Sequence, residues 1–210
     1  GAVWCWGYNY YGLLGDGTNT ERHRPVAVVD LPPVTGLAMG LEHSCSYNEE
    51  GDVWCWGRNR GGALGDGTEL DRWRPVRVQG LPAVIKVVAG SSYTCALTED
   101  GAVRCWGLNL SGNLGDGTSQ NRSRPVVVEG LERIREIGVG YLHTCAVNEE
   151  GQTFCWGYNH DGQLGNGQFT DSMTPQLVSG LNNVNDIKRV YIGDAHACVT
   201  ANEDGLYCWG

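Results

Sequence analysis

The chain repeats itself every 50 residues. Gly1, Gly51, Gly101 and Gly151 keep step, and so do Cys5, Cys55, Cys105 and Cys155, then Pro25, Pro75, Pro125 and Pro175. The last unit is longer: Cys155 and Cys208 stand 53 apart, with the addition around "NNVNDIKRVYIG". A sustained period of this length marks a solenoid or a propeller, because one such unit cannot bury its apolar surface alone. The 210 residues therefore read as one segment of units 1–50, 51–100, 101–150 and 151–204, with 205–210 closing the last hairpin.

Within a unit the pattern is that of short strands. "RPVRVQG" (74–80), "VIKVVAG" (84–90), "SYTCALT" (92–98) and "AVRCWG" (102–107) are rich in Val, Ile, Cys and aromatic residues and are bounded by Gly or Pro. No helical apolar stripe competes. In "TCALT" and "AVRCW" one side carries the cysteines with Leu97 and Val103, and the other carries Ala96 and Trp106. Strands apolar on both sides need cover on both sides, which stacked sheets supply. Four such strands per unit make one blade, so the fold class is all-β, a β-propeller with four blades' worth of chain.

The residues that carry this pattern, "CWGxNxxGxLGDGTxxxRxRPVxVxGL" followed by "GxxHTCALxEDG", resemble the regulator-of-chromosome-condensation repeat, including its bacterial, alpha-tubulin-suppressor-like forms. The resemblance covers the whole chain four times over. It implies a propeller, usually of seven blades, so four repeats read as a segment of a larger ring, with a closed four-bladed ring as the other option. The start in mid-pattern at "GAVWCWG" points the same way.

Eight cysteines form four equally spaced pairs, Cys45/Cys55, Cys95/Cys105, Cys145/Cys155 and Cys198/Cys208, each flanking a polar turn such as "NEEGD". If the cysteines face each other across a hairpin, Tyr47 pairs with Val53, and opposed antiparallel residues fall within disulfide reach. In the fourth pair the turn glycine Gly205 comes one place later while the Cys spacing holds, as a cross-strand bridge requires. The competing reading is reduced thiols packed as small hydrophobes. Zinc spacing, C-x₂₋₄-C, does not occur. Cys5 is left over, its partner falling upstream of residue 1. Bridged, these pairs place the protein in an extracellular, cell-surface or periplasmic setting.

The glycine-rich run "GGALGDGTELDRWRPV" invites comparison with a phosphate-binding loop, but it lacks the Lys, and proline follows where a helix would run. A calcium loop needs several converging carboxylates, whereas each copy offers one regular acid, Asp16, Asp66 or Asp116, with Asn166 in the last. The run reads as architecture, with Asn9, Asn59, Asn109 and Asn159 satisfying backbone groups and Leu14, Leu64, Leu114 and Leu164 filling the core. The three units with "GDGT" also carry Arg-x-Arg-Pro, and the fourth loses both, having Ser172 and Thr174. An Asp–Arg bridge closing each loop follows as an expectation, assigned to Asp16 with Arg24, Asp66 with Arg74 and Asp116 with Arg124.

No catalytic constellation breaks the repeat. His43, His143 and His196 share one repeat position with Tyr93, and a place that admits tyrosine reads as structural. No metal or cofactor site and no small-molecule site is evident. With 15 basic against 24 acidic residues and no basic stripe, nucleic acid is a poor partner. No apolar run approaches the roughly 20 residues of a spanning helix. What varies between units is surface: Tyr8, Tyr10 and Tyr11, then Arg58 and Arg60, then Tyr158 and His160, with His23, Trp73, Ser123 and Met173 on a second patch and Phe169 as a further anchor candidate. Exposed Tyr, Trp and Arg anchor protein interfaces. The expected function is a non-enzymatic, secreted or surface-displayed scaffold that grips a protein through variable rim loops. The resemblance supports it, since that family includes a secreted bacterial β-lactamase inhibitor that binds through propeller loops. The resemblance also implies the alternative, nucleotide exchange on a small GTPase, the role of the family's nuclear founder; paired cysteines suit neither nucleus nor cytosol.

Overall fold

The computed structural model describes residues 1–181, 184, 186–201 and 205–210. They form seventeen short strands in five antiparallel sheets, and the chain is a β-propeller segment. The first sheet has two strands, β1 (Trp4–Gly7) and β2 (Arg22–Ala27). The second has β3 (Gly36–Met39), β4 (His43–Tyr47), β5 (Val53–Gly57) and β6 (Arg72–Arg77). The third has β7 (Val84–Ala89), β8 (Tyr93–Thr98), β9 (Val103–Gly107) and β10 (Arg122–Val127). The fourth comprises β11 (Ile134–Val139), β12 (His143–Asn148), β13 (Thr153–Gly157) and β14 (Ser172–Leu177). The fifth has β15 (Ile187–Ile192), β16 (Ala197–Ala201) and β17 (Gly205–Trp209). Strands follow one another as neighbours in each sheet, so each is a simple meander. Each four-stranded sheet takes its first two strands from one sequence unit and its last two from the next.

The expected strands are present, the one at 74–80 starting earlier, at Arg72, and ending at Arg77. The hairpin register is as read: Cys45 lies opposite Cys55 and Tyr47 opposite Val53. Cys45–Cys55, Cys95–Cys105, Cys145–Cys155 and Cys198–Cys208 are disulfides, with Cα atoms 4.1 Å apart in every pair. Cys5 is free and half-buried on β1.

The core lies between sheets rather than within one. Cys45, Val53 and Cys55 of the second sheet, with Leu64 and Val78, meet Val84, Val87, Ala96 and Trp106 of the third. The third and fourth sheets repeat the arrangement, with Trp156 in place of Trp106, and so do the fourth and fifth. The cysteine side of one sheet is thus packed by the Ala/Trp side of the next, which is why both sides of each strand are apolar. Burying each Trp is worth several kcal/mol on the order of 25 cal/mol per Å².

In the first four sheets the last strand slips its register against Cys-Trp-Gly, where Arg-x-Arg-Pro or, in the fourth, Ser-Met-Thr-Pro begins it. Gly57 marks the slip with φ 109°, and a Cβ there would fall 2.8 Å from the Glu42 carbonyl oxygen. Only glycine fits this bulge. It sends the chain into a long loop before the last strand begins.

Candidate functional site

Each sheet has two ends. At one, the turn after the first strand (40–42) and the long loop before the last (58–71) lie together, since Arg58 N donates to Glu42 O at 2.8 Å. Leu108 to Ser92 and Tyr158 to Leu142 repeat that bond at 2.9 Å. At the other end the β4–β5 turn meets the connection between sheets, with Val84 N donating to Gly51 O at 3.1 Å. We call these the loop end and the turn end.

The long loops are built around a buried asparagine. Asn9 Oδ1 accepts from Leu14 N at 2.9 Å, and its Nδ2 donates to Thr18 O at 3.1 Å and Thr20 O at 3.0 Å. Asn59, Asn109 and Asn159 do the same in their units. Asp16 Oδ1 accepts from Thr18 N and Oγ1, so the Asp-Gly-Thr turn closes on its own acid. Burial pushes the carboxyls of Asp16, Asp66 and Asp116 up, but hydrogen bonds from the neighbouring threonine and the paired arginine outweigh it and hold them below the ordinary value.

The cation on each acid is the first arginine of Arg-x-Arg, not the second. Arg22 Nε donates to Asp16 Oδ2 at 2.8 Å, Arg72 Nε to Asp66 at 2.8 Å and Arg122 Nε to Asp116 at 2.7 Å. Arg24, Arg74 and Arg124 are exposed; Arg74 turns to Asp30 at 2.5 Å. Position along the strand explains the correction: residues two apart share a side, but Arg22, Arg72 and Arg122 are the first residues of their strands and so stand beside the loop they close. Asn166 accepts from Gln168 N at 2.9 Å, so the fourth loop makes the same turn without the ion pair.

Sequence reasoning missed a second capping device. Asp71, Asn121 and Asp171 accept from the backbone N–H of Asn59, Asn109 and Asn159 at 2.8 to 3.0 Å. An Asp or Asn at one repeat position in three of four units was the available signal. It also missed the reason for the His/Tyr position. His43 Nε2 lies 2.8 Å from Thr94 Oγ1 of the next sheet, and Tyr93 Oη donates to His143 O of the following one at 2.6 Å. These rings bolt neighbouring sheets together.

The variable residues sit at the loop end, in two groups. Across the first seam, Tyr10 and Tyr11 meet edge to face at 5.0 Å, and Arg58 lies over the Tyr11 ring at 4.4 Å while pairing with Glu42 at 2.5 Å. Trp73 covers Gly12, where a Cβ would fall 2.5 Å from its Cδ1. Tyr8, Tyr10 and Arg60 are exposed. In the fourth loop Tyr158 stacks on His160 at 4.6 Å, His160 Nε2 lies 3.6 Å from Asp171, and Phe169 is 69% exposed. Arg58 and Tyr11 are engaged with the protein itself, so the freest anchors are Tyr8, Tyr10, Trp73 and Phe169. Among the described residues no group of three or more His, Cys, Asp or Glu is placed to hold a metal. No helix among them is long and apolar enough to cross a membrane.

The fold has known counterparts. The crystal structure of human WBSCR16 superposes with a TM-score of 0.89 at 26% identity, covering 99% of this chain and 56% of that one. Prp20p of Saccharomyces cerevisiae follows with 0.63 at 20%, covering 99% and 65%. The ectodomain of the Physcomitrella patens receptor kinase CR4 gives 0.59 at 19%, covering 90% and 42%. The chain thus spans from under half to just under two thirds of the length of these proteins. No curated protein matches the sequence significantly. A family model described as RCC1-like domain matches residues 1–210 throughout, and the chain belongs to that family.

Proposed function

We propose that the chain is a non-catalytic, protein-binding propeller segment of an oxidising compartment, secreted or cell-surface, whose partner docks on the loop end. The observation that carries this is the contrast between the ends. The loop end exposes Tyr8, Tyr10, Leu70, Leu110 and Phe169, each more than half accessible. The turn end presents acidic hairpin tips, Glu49–Glu50, Glu99–Asp100 and Glu149–Glu150, all exposed. Large apolar side chains clustered at one end of a repeat scaffold are interface material. Four disulfides are consistent with an oxidising location.

The second reading is exchange on a small GTPase. Its support is the likeness to Prp20p, whose structure report names binding to Gsp1p and histones. The disulfides oppose it, because the nucleus and cytosol keep thiols reduced. Thiol titration of denatured protein from its native source separates the two: the four pairs unreactive until reduced fits the secreted reading, and the same eight cysteines reactive without reductant fits the other. The docking surface is tested by capture from extracellular material with three baits. Wild type and a turn-end variant, Glu99→Lys with Glu149→Lys, should retain the same partner, and Tyr10→Ser with Phe169→Ser should lose it. Loss with the turn-end variant instead would overturn the assignment.

A further inference from the structure

The seam between the fourth and fifth sheets differs from the seam between the second and third. His43 finds Thr94 Oγ1 at 2.8 Å, and Thr94 in turn donates to Ala63 O at 2.9 Å. At the later seam the residue equivalent to Thr94 is Ala197, which has no hydroxyl. His143 is 1% exposed, and its Nε2 is buried with no hydrogen-bond partner. A buried imidazole that bonds nothing across the seam gives the seam no cohesion and resists taking a proton while it stays closed.

We infer that the seam between β12 and the β15–β16 turn is an acid-released joint: lowering the pH opens the loop end of the fifth sheet, with His143 as the trigger. The opposite end of the same seam is held by a group that does not titrate. Arg135 of β11 donates to Lys188 O at 3.2 Å and also bonds Ile187 O. Opening therefore pivots near Arg135, and at the loop end it must break Trp209 Nε1 to Gln163 O at 2.8 Å as well as the main-chain bond from Tyr141 to Asp194. The ionisable groups facing His143 are few. Tyr93 of β8 bonds its carbonyl, while His196 and Asp194 come from the turn into β16. His196, when protonated, repels a proton on His143 and so adds to the opening force at low pH. No carboxylate bonds the His143 ring to hold it charged within the closed seam.

The hinge would act on the proposed binding end. Tyr141 N donates to Asp194 O at 3.3 Å across this seam. Both residues border an axial hollow of about 420 Å³, walled also by Met39, Leu41, Ser91 and Ile192. Opening breaks that bond and parts two walls of the hollow, so a partner seated there loses its surface in acid. This consequence rests on the proposed docking end; the joint itself does not.

The magnitude follows from linkage. Burial lowers the His143 pKa from 6.5 to about 4, and an opened seam returns it to 6.5. The closed form is favoured while the ring stays neutral, above the open-state value, and that preference drains away as the pH falls from 6.5 toward 4. Between pH 7 and pH 5 the open population should rise roughly 20-fold. Native-state hydrogen exchange, corrected for intrinsic rates, reads it on the β15 and β16 amides. Wild type should show the rise there and not in β12; β8 faces a second buried imidazole, His43, whose pKa burial also lowers to about 4, so its response is read separately with His43→Tyr. His143→Tyr, which supplies the hydroxyl that Tyr93 uses at the seam before, should hold the ratio below about 3-fold. His143→Phe, which titrates nothing, should do the same if the tyrosine fails to fold. His43→Tyr should leave the β15–β16 ratio as in wild type. An undiminished β15–β16 ratio in both His143 variants would sink the inference. Neither outcome bears on which end binds a partner, which the capture experiment decides.

Discussion

Asn166 shows what the acid in each long loop is for. It keeps the turn that Asp16, Asp66 and Asp116 make, accepting from Gln168 N as they accept from Thr18, Thr68 and Thr118, without any arginine. The side-chain oxygen therefore sets the shape and the charge adds stability. Asp66→Asn should keep the fold and cost about 1 kcal/mol, the worth of a partly exposed pair. Asp66→Ala should cost about 2 kcal/mol, because Thr68 N and Oγ1 then lose their acceptor. Equal costs by urea denaturation would contradict this division. The sign of the pH effect is fixed too. The three carboxyls are depressed below 3.8, so the stability they add is complete above that value and is lost as the pH falls below it. Which arginine pairs with the acid was not legible, since Arg22 and Arg24 are the same residue on the same side of one strand and only where the strand begins distinguishes them. The role of Asn59 was legible because the same residue at every unit admits a backbone task and little else.

At the scale of the sheet, the hairpin register could be read outright. Constant Cys spacing across a turn of varying composition leaves one antiparallel register in which all four pairs meet. The seams could be read only in part. Two-sided apolar strands demanded stacking, but nothing in one strand tells which residue of the next sheet His43 or Tyr93 reaches. The buried sulfurs have a chemical consequence. Cys45, Cys55, Cys95, Cys105, Cys145 and Cys155 are fully buried between sheets. Exchange needs a thiolate to reach sulfur. A mild reductant should leave Cys45–Cys55, Cys95–Cys105 and Cys145–Cys155 intact until denaturant is added, as alkylation with peptide mass mapping would show. Reduction of these three under native conditions would contradict the packing. Each bridge closes a short loop and should contribute about 2–3 kcal/mol.

Over the whole molecule, the sequence period dictated the stacked sheets, and the two ends then diverged because their constraints differ. Residues inside the long loops are pinned by Asn, Asp and Leu, while Tyr8, Tyr10, Leu110 and Phe169 at their tips are more than half exposed and free to vary. That freedom is why the proposed docking surface can be assigned to an end but not to a partner. Substitutions at the tips should be nearly silent for folding: Tyr10→Ser and Phe169→Ser should each shift stability by less than about 0.5 kcal/mol. A larger loss in a thermal melt would mean these rings belong to the core. The sheets also take their two halves from adjacent sequence units, so the solvent-facing glutamates at 49–50 and 149–150 fall between partners that are already covalently joined. An endoprotease cutting after those glutamates severs the backbone without parting the pieces, and the nicked protein runs as one band until its sulfurs are reduced.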